Sequence, residues 1–152
     1  GRKIDQIDAK LLLELQRDAG LSQRDLAERV GLSQNACWRR LKALEEDGII
    51  RGRTLRLDRA KLGLGLTVFA MIRTRHHSAS WLQTFRSHVS GIPEIIDFFR
   101  IGGDYDYLLK IVTADMASYD SVYQRLIQKV ELESVTSYFA MEAIEEQRPL
   151  PL

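Results

Sequence analysis

The stretch SQRDLAERVGLSQNACWRRLKALEEDG, residues 22–48, decides the fold of the first half of the chain. Ser22 reads as an N-cap for a short helix carrying Leu26, Ala27 and Val30, and Gly31 stops it. Ser33 caps a second helix whose apolar positions Cys37, Leu41 and Leu44 follow the i, i+4, i+7 rhythm until Asp47-Gly48 ends it. Two helices joined by a tight turn around Gly31-Leu32 read as a helix-turn-helix, the second placed for a major groove. Burying Cys37, Leu41 and Leu44 leaves Gln34, Asn35, Trp38, Arg39 and Lys42 on the opposite side. Amide and guanidinium groups bond base edges, while Arg and Lys hold phosphates. Ser33 and Arg40 complete the candidate DNA-binding set on this helix. The bland alternative is a solvated helix face, against which Trp38 argues: a large aromatic on a polar face needs a use. Packing of Trp38 on the following segment is the competing explanation. Cys37 reads as a small core residue, since it shares the apolar stripe with Leu41.

Upstream, Ile4, Ile7, Leu11, Leu12 and Leu15 recur at helical spacing, with Asp5 and Asp8 near the positive end of the helix dipole. This helix is expected to stop before Ala19-Gly20, with glycine taking the left-handed position. Downstream, residues 49–57 form two short extended segments around Gly52, readable as a small basic hairpin. Arg51, Arg53 and Arg56 would give it the character of a wing.

From residue 63 the period changes. Gly63-Leu64-Gly65 reads as a hinge, and strands are expected at about 66–75, 94–101, 107–113 and 134–144. Between them, Trp81 or Leu82 with Phe85 and Val89 marks one amphipathic helix. Met116, Tyr119, Val122, Tyr123, Leu126 and Val130 mark another. The order β-α-β-β-α-β is the ferredoxin-like plan. Such a module leaves one sheet face uncovered, and Phe99, Leu109, Ile111, Val135 and Phe139 are expected on it. An apolar surface of that size predicts pairing with a second copy. The fold class is therefore α+β, with an expected helix-turn-helix domain at 1–62 and a ferredoxin-like domain at 63–152.

Composition bounds the function. The chain has 152 residues, 45% hydrophobic and 28% charged, which is ordinary globular usage. No apolar run approaches the roughly 20 residues that span a bilayer, and no secretory order of basic, apolar and small residues is visible near the N-terminus. The single cysteine excludes an internal disulfide and any cysteine-cluster metal site. The expectation is a soluble, cytoplasmic protein without a membrane partner. Residues 1–62 hold 14 Lys+Arg and 10 Asp+Glu, net +4; residues 63–152 hold 8 and 11, net −3. A basic half joined to an acidic half suggests that one part meets a polyanion.

The residues Leu12-Leu13-Glu14-Leu15-Gln16-Arg17-Asp18, Leu26-Ala27-Glu28-Arg29-Val30-Gly31-Leu32-Ser33 and Cys37-Trp38-Arg39-Arg40-Leu41-Lys42-Ala43-Leu44-Glu45 resemble the DNA-binding half of the Lrp/AsnC (feast/famine) transcriptional regulators. Leu57-Asp58, Leu62-Gly63, Pro93-Glu94, Gly103-Asp104-Tyr105-Asp106-Tyr107-Leu108-Leu109 and the closing Leu150-Pro151-Leu152 continue the resemblance in order along the chain. It implies a winged helix-turn-helix followed by an amino-acid-sensing domain of ferredoxin-like (RAM or ACT-like) fold. It also implies dimers, commonly assembled into octamers, that bind double-stranded promoter DNA.

By spacing alone, Gly102-Gly103-Asp104-Tyr105-Asp106 is a plain hairpin turn, in which Gly and Asp are usual. The resemblance makes it an effector loop: glycines admit close backbone approach to a carboxylate, and Asp104 or Asp106 accepts from an ammonium group. The family more often has Thr where Gly102 stands. The resemblance also adds Thr136 or Ser137 on the last strand to the pocket. The Arg73–Ser78 run with Trp81 is similar to a branch linked to cysteine and other sulfur amino acids, so the effector expected is a free amino acid, with cysteine, leucine and others open.

His76 and His77 are adjacent on an extended segment and point to opposite faces, and His88 is remote, so no metal site is expected. There is no Ser/His/Asp set with a supporting motif and no phosphate loop of the form GxxxxGK[ST]. Neither catalytic residues nor a cofactor is expected. Two other functions compete: an effector-independent architectural DNA-binding protein, and the regulatory subunit of an amino-acid enzyme. An RNA-binding module is disfavoured, because the central strands lack the aromatic, glycine-rich pattern such sheets use.

Overall fold

A computed structural model describes residues 3–152, which fold as two compact units. One comprises the chain up to Arg56 together with Ile144–Leu152; the other is Leu57–Ala143. The division anticipated at 62/63 falls earlier, and the end of the chain clusters with the helices rather than with the sheet. Two reciprocal bonds hold it there: Gln16 Nε2 donates to the Leu150 carbonyl (3.4 Å) and the Leu150 N–H donates to Gln16 Oε1 (2.6 Å).

The helical unit has three helices, α1 (Gln6–Arg17), α2 (Gln23–Val30) and α3 (Gln34–Glu46). Each begins where a side-chain acceptor meets an otherwise unpaired N–H. Asp5 accepts from the Asp8 N–H while Asp8 accepts from the Asp5 N–H, a reciprocal capping box. Ser22 and Ser33 cap α2 and α3 through the Asp25 and Ala36 N–H groups. Gly31 takes φ 72° at the end of α2, and the Leu32 N–H reaches back to the Ala27 carbonyl. That left-handed residue sets the angle of the helix-turn-helix. Leu11, Leu26, Ala27, Cys37 and Leu41 form the core, with Ile7, Val30 and Ile50 packed against it.

Two local expectations differ. α1 is ended by Asp18, extended at φ −149°, whose carboxylate accepts from the Gly20 N–H; Gly20 is not left-handed. An Asx-type turn thus does the work assigned to glycine. Residues 49–57 contain no strand, so the anticipated hairpin is absent as a ladder. Their arginines turn back instead: Arg53 donates to the Ala19 carbonyl (3.4 Å) and Arg56 to that of Arg17 (3.2 Å), satisfying the carbonyls at the end of α1.

The second unit runs β1 (Leu66–Arg73), α4 (Ala79–Ser90), β2 (Ile95–Arg100), β3 (Tyr107–Thr113), α5 (Met116–Gln128) and β4 (Ser134–Phe139). The strands form an antiparallel sheet in the order β2-β3-β1-β4. Both helices cover one face, where Val68, Ala70, Ile72, Leu109 and Ile111 meet Phe85, Val89, Val122 and Leu126. The last strand stops at Phe139 rather than near Ile144.

The phase of the alternation corrects the anticipated open face. Leu109 and Ile111 are fully buried beneath the helices, Val135 packs against the same core, and Phe139 meets Tyr119 edge-on. Of the five residues expected in the open, only Phe99 lies there, opposite Leu108, which in turn is opposite Met71. The next row joins Asp97, Lys110, Phe69 and Tyr138. The reason is register: Ala70 pairs with Leu109, so the helix-facing residues of β3 are odd-numbered and those of β1 even-numbered.

Candidate nucleic-acid interface and effector loop

α3 presents Ser33, Gln34, Asn35, Trp38, Arg39 and Lys42 to solvent while Cys37, Leu41 and Leu44 are buried. Trp38 is 44% exposed, and the Lys42 ammonium stands 4.8 Å above its ring. This cation–π contact stiffens two long side chains on a face otherwise made of donors and acceptors. Burial pushes the Cys37 thiol above its ordinary pKa, as befits a core position.

Arg40 sits apart from that face. Its guanidinium bonds Asp5 (2.7 Å) and Asp8 (3.1 Å), holding α3 against the start of α1. The expectation that Arg40 faces DNA is therefore corrected: its Nη1 bonds both carboxylates of the capping box, and Asp8 is 1% exposed. Arg51 is exposed, whereas Arg53 is engaged by the Ala19 carbonyl and lies 3.9 Å from Glu45.

The loop between β2 and β3 is closed by backbone bonds from Ile101 N–H to the Asp106 carbonyl and from Asp106 N–H to the Ile72 carbonyl, both 2.8 Å. Gly103 has φ 118°, a conformation side chains resist. Gly102 has no such requirement, and a Cβ there would meet nothing within 4 Å. The space around it is open to a ligand, and to the threonine usual in the resembled family.

Asp106 is partly committed to the fold, since its Oδ2 accepts from the Thr74 N–H at 2.9 Å. Arg73 donates from Nε to the Asp104 carbonyl (2.6 Å) and lies 4.9 Å over the Tyr105 ring. Tyr105 reaches Thr136 and Tyr138 on the open face. The Thr136 hydroxyl first, then that of Tyr138, holds the Tyr105 phenol below its ordinary pKa, with the Arg73 charge adding to this. Tyr138, by the same bond, is pushed up.

The structure thus brings Gly102 to Asp106 and Thr136 together, and adds Arg73 and Tyr138, which the sequence reading left out of the site. Their signal was present: Phe69-Met71-Arg73 and Thr136-Tyr138 each share one strand face. Ser137 is not part of the group. It points to the helix side, where it is hydrogen-bonded to the Tyr119 hydroxyl, because neighbouring strand residues face opposite ways.

The histidines have other roles. His88 Nε2 lies 2.7 Å from the Arg125 carbonyl and 3.0 Å from that of Leu126. His76 stacks on Trp81 with ring centroids 6.0 Å apart. Among the described residues no group of His, Cys, Asp and Glu converges as a metal site, and no helix is long and apolar enough to cross a membrane.

A winged helix-turn-helix DNA-binding family model matches residues 4–51, and the Lrp/AsnC ligand binding domain matches residues 67–150. The DNA-binding transcriptional activator DecR of Escherichia coli K12 is 49% identical over 150 residues, covering 98% of this chain and 99% of that protein. A crystal structure of an AsnC family transcriptional regulator from Agrobacterium tumefaciens superposes with a TM-score of 0.94 at 48% identity, covering 97% of each chain. A transcriptional regulator from Neisseria meningitidis, solved as its L-Met complex, gives a TM-score of 0.91 at 31% identity over 98% of this chain and 97% of that one.

Proposed function

Because the chain belongs to the Lrp/AsnC family of transcriptional regulators, we propose that its α3 face reads duplex promoter DNA and that a free amino acid, bound at the 102–106 loop, modulates that binding or the assembly it requires. One observation carries the DNA reading: a capped helix-turn-helix presents Gln34, Asn35, Trp38, Arg39 and Lys42 together, with its apolar stripe buried behind them. Gln34, Asn35 and Arg39 are suited to base edges, Lys42 and Arg51 to phosphates.

The L-Met complex of the Neisseria relative and the open space at Gly102 support the effector reading. The loop amides suit an α-carboxylate, and the exposed Asp104 suits an α-ammonium group. Arg73, Tyr105, Thr136 and Tyr138 adjoin the place where the effector side chain would lie. The apolar row of Phe99, Leu108 and Met71 on the open sheet face supports a homodimer with sheets apposed, and further assembly to an octamer belongs to the same proposal. No catalytic step is part of it.

The test combines anisotropy of labelled duplexes with a thermal-shift panel of the twenty amino acids at millimolar concentration. Arg39→Ala is expected to weaken specific duplex binding about tenfold, corresponding to ~1.4 kcal/mol, with assembly and thermal midpoint unchanged. Ligand at about 100 times its dissociation constant adds roughly 2.7 kcal/mol to stability. A shift with one or a few amino acids supports the sensing role. A flat panel beside intact duplex binding would move the protein to the effector-independent architectural alternative.

A further inference from the structure

The helical unit holds a cavity of about 760 Å³ that neither the α3 face nor the effector loop uses. Its walls are the C-terminal half of α1, the arm at residues 49–56, and the tail at 147–152. The tail wall is pinned by the paired Gln16–Leu150 bonds, so the cavity is preformed. Its volume falls in the range of about 300–1,000 Å³ usual for small-molecule sites.

The lining has a definite chemistry. Leucines and isoleucines from all three stretches supply apolar walls, Leu15, Leu55 and Leu150 among them. Among the described lining residues there are five arginines against one acid, Asp18; Arg53 lies 3.9 Å from Glu45 and Arg148 3.2 Å from Glu145, which leaves Arg17, Arg51 and Arg56 as the excess charge. Arg56 spends one N–H on the Arg17 carbonyl, which fixes its guanidinium and leaves further donors of its five. Arg53 is fixed in the same way by Ala19.

An oriented guanidinium beside an apolar wall favours an anion with an apolar body, through charge-assisted and bidentate bonds. A zwitterionic amino acid fits less well, because its ammonium group would lie among arginines. The geometry points to a second ligand site, in the DNA-binding unit, that takes a small carboxylate with an apolar body and no ammonium group. It is separate from the effector loop and does not depend on it.

Calorimetric titration of the full chain with sodium octanoate, 1-octanol and inorganic phosphate tests this. Octanoate is expected to bind saturably at one per chain, octanol at least about tenfold more weakly, and phosphate alone not at all. Leu55→Asp and Arg56→Ala are each expected to weaken octanoate binding by about tenfold or more. Leu55 is 79% exposed, so its replacement leaves the fold intact. Absence of saturable octanoate binding overturns the proposal, as does equal binding of octanol. Phosphate binding as tight as octanoate's would make the arginines a phosphate-contact strip and overturn it as well. If Leu55→Asp changes the sedimentation behaviour and leaves octanoate binding untouched, the cavity belongs to a second copy of the chain and the proposal fails.

Discussion

Arg40 Nη1 lies 3.1 Å from Asp8, a carboxylate 1% exposed in the core of the helical unit, and 2.7 Å from Asp5 at the cap of α1. One cation thus ties the recognition helix to the first turn of the domain. Arg40→Ala is expected to remove the ion pairs to Asp5 and to the buried Asp8, costing about 1–3 kcal/mol. Urea unfolding of the variant beside Arg39→Ala checks this: the first loses stability and the second does not. Equal stability of the two would return Arg40 to the DNA face.

The same pair sets an acid dependence. The Arg40 hydrogen bond, and then the Asp8 N–H, hold Asp5 below its ordinary value of 3.8 in the folded protein. Its contribution is therefore present above pH 3.8 and lost as pH falls through the lower folded value. Thermal midpoints measured from pH 5 down to pH 2 should fall more steeply in the native chain than in Arg40→Ala over that window.

Adjacent glycines in the loop should behave differently. Gly103→Ala places a side chain at φ 118°, a strain of about 1–3 kcal/mol. Gly102→Ala meets open space at an ordinary φ and should leave the thermal midpoint within about 0.5 kcal/mol of native. Midpoints of the two variants, followed by effector titration, separate backbone strain from ligand contact.

Tyr105 is hydrogen-bonded to Thr136 and Tyr138 and so should ionise below the ordinary tyrosine value of 10.0, with Tyr138 ionising above it. Ultraviolet titration of Tyr105→Phe should lose the earliest phenolate step and bring Tyr138 back toward its ordinary value. A titration that keeps the early step would place the low phenol elsewhere.

Phe99 and Met71 lie in one row across the open sheet face. Phe99→Asp is expected to shift the protein from dimer toward monomer in sedimentation equilibrium while retaining its circular dichroism. Leu109→Asp, at 0% exposure on the other face, should unfold the sheet unit instead.

Much of the fold was legible because its signals are local. Ser22, Gly31 and Ser33 bound two helices by cap chemistry, and the change to strand alternation after Gly63 announced the second unit. The candidate site was legible in part. Exposed residues of α3 followed from helical periodicity, which leaves no ambiguity about sides once Cys37, Leu41 and Leu44 are inside. Ser137 and the supposed open-face residues were misplaced because alternation names two faces without saying which one the helices cover. Arg40 was misread because its partners, Asp5 and Asp8, lie more than 30 positions away, at separations of 35 and 32.

The sequence by itself determined the helix boundaries, the order of helices and strands in the second unit, the family and the loop built on Gly102-Gly103, since caps, periodicity and motif order act over a few residues. Tertiary structure alone decided which sheet face stays open, where the arginines of the 49–56 arm and Arg40 spend their donors, and that the C-terminal residues close on α1. Those outcomes rest on strand register and on hydrogen bonds between distant positions, which depend on what packs against what.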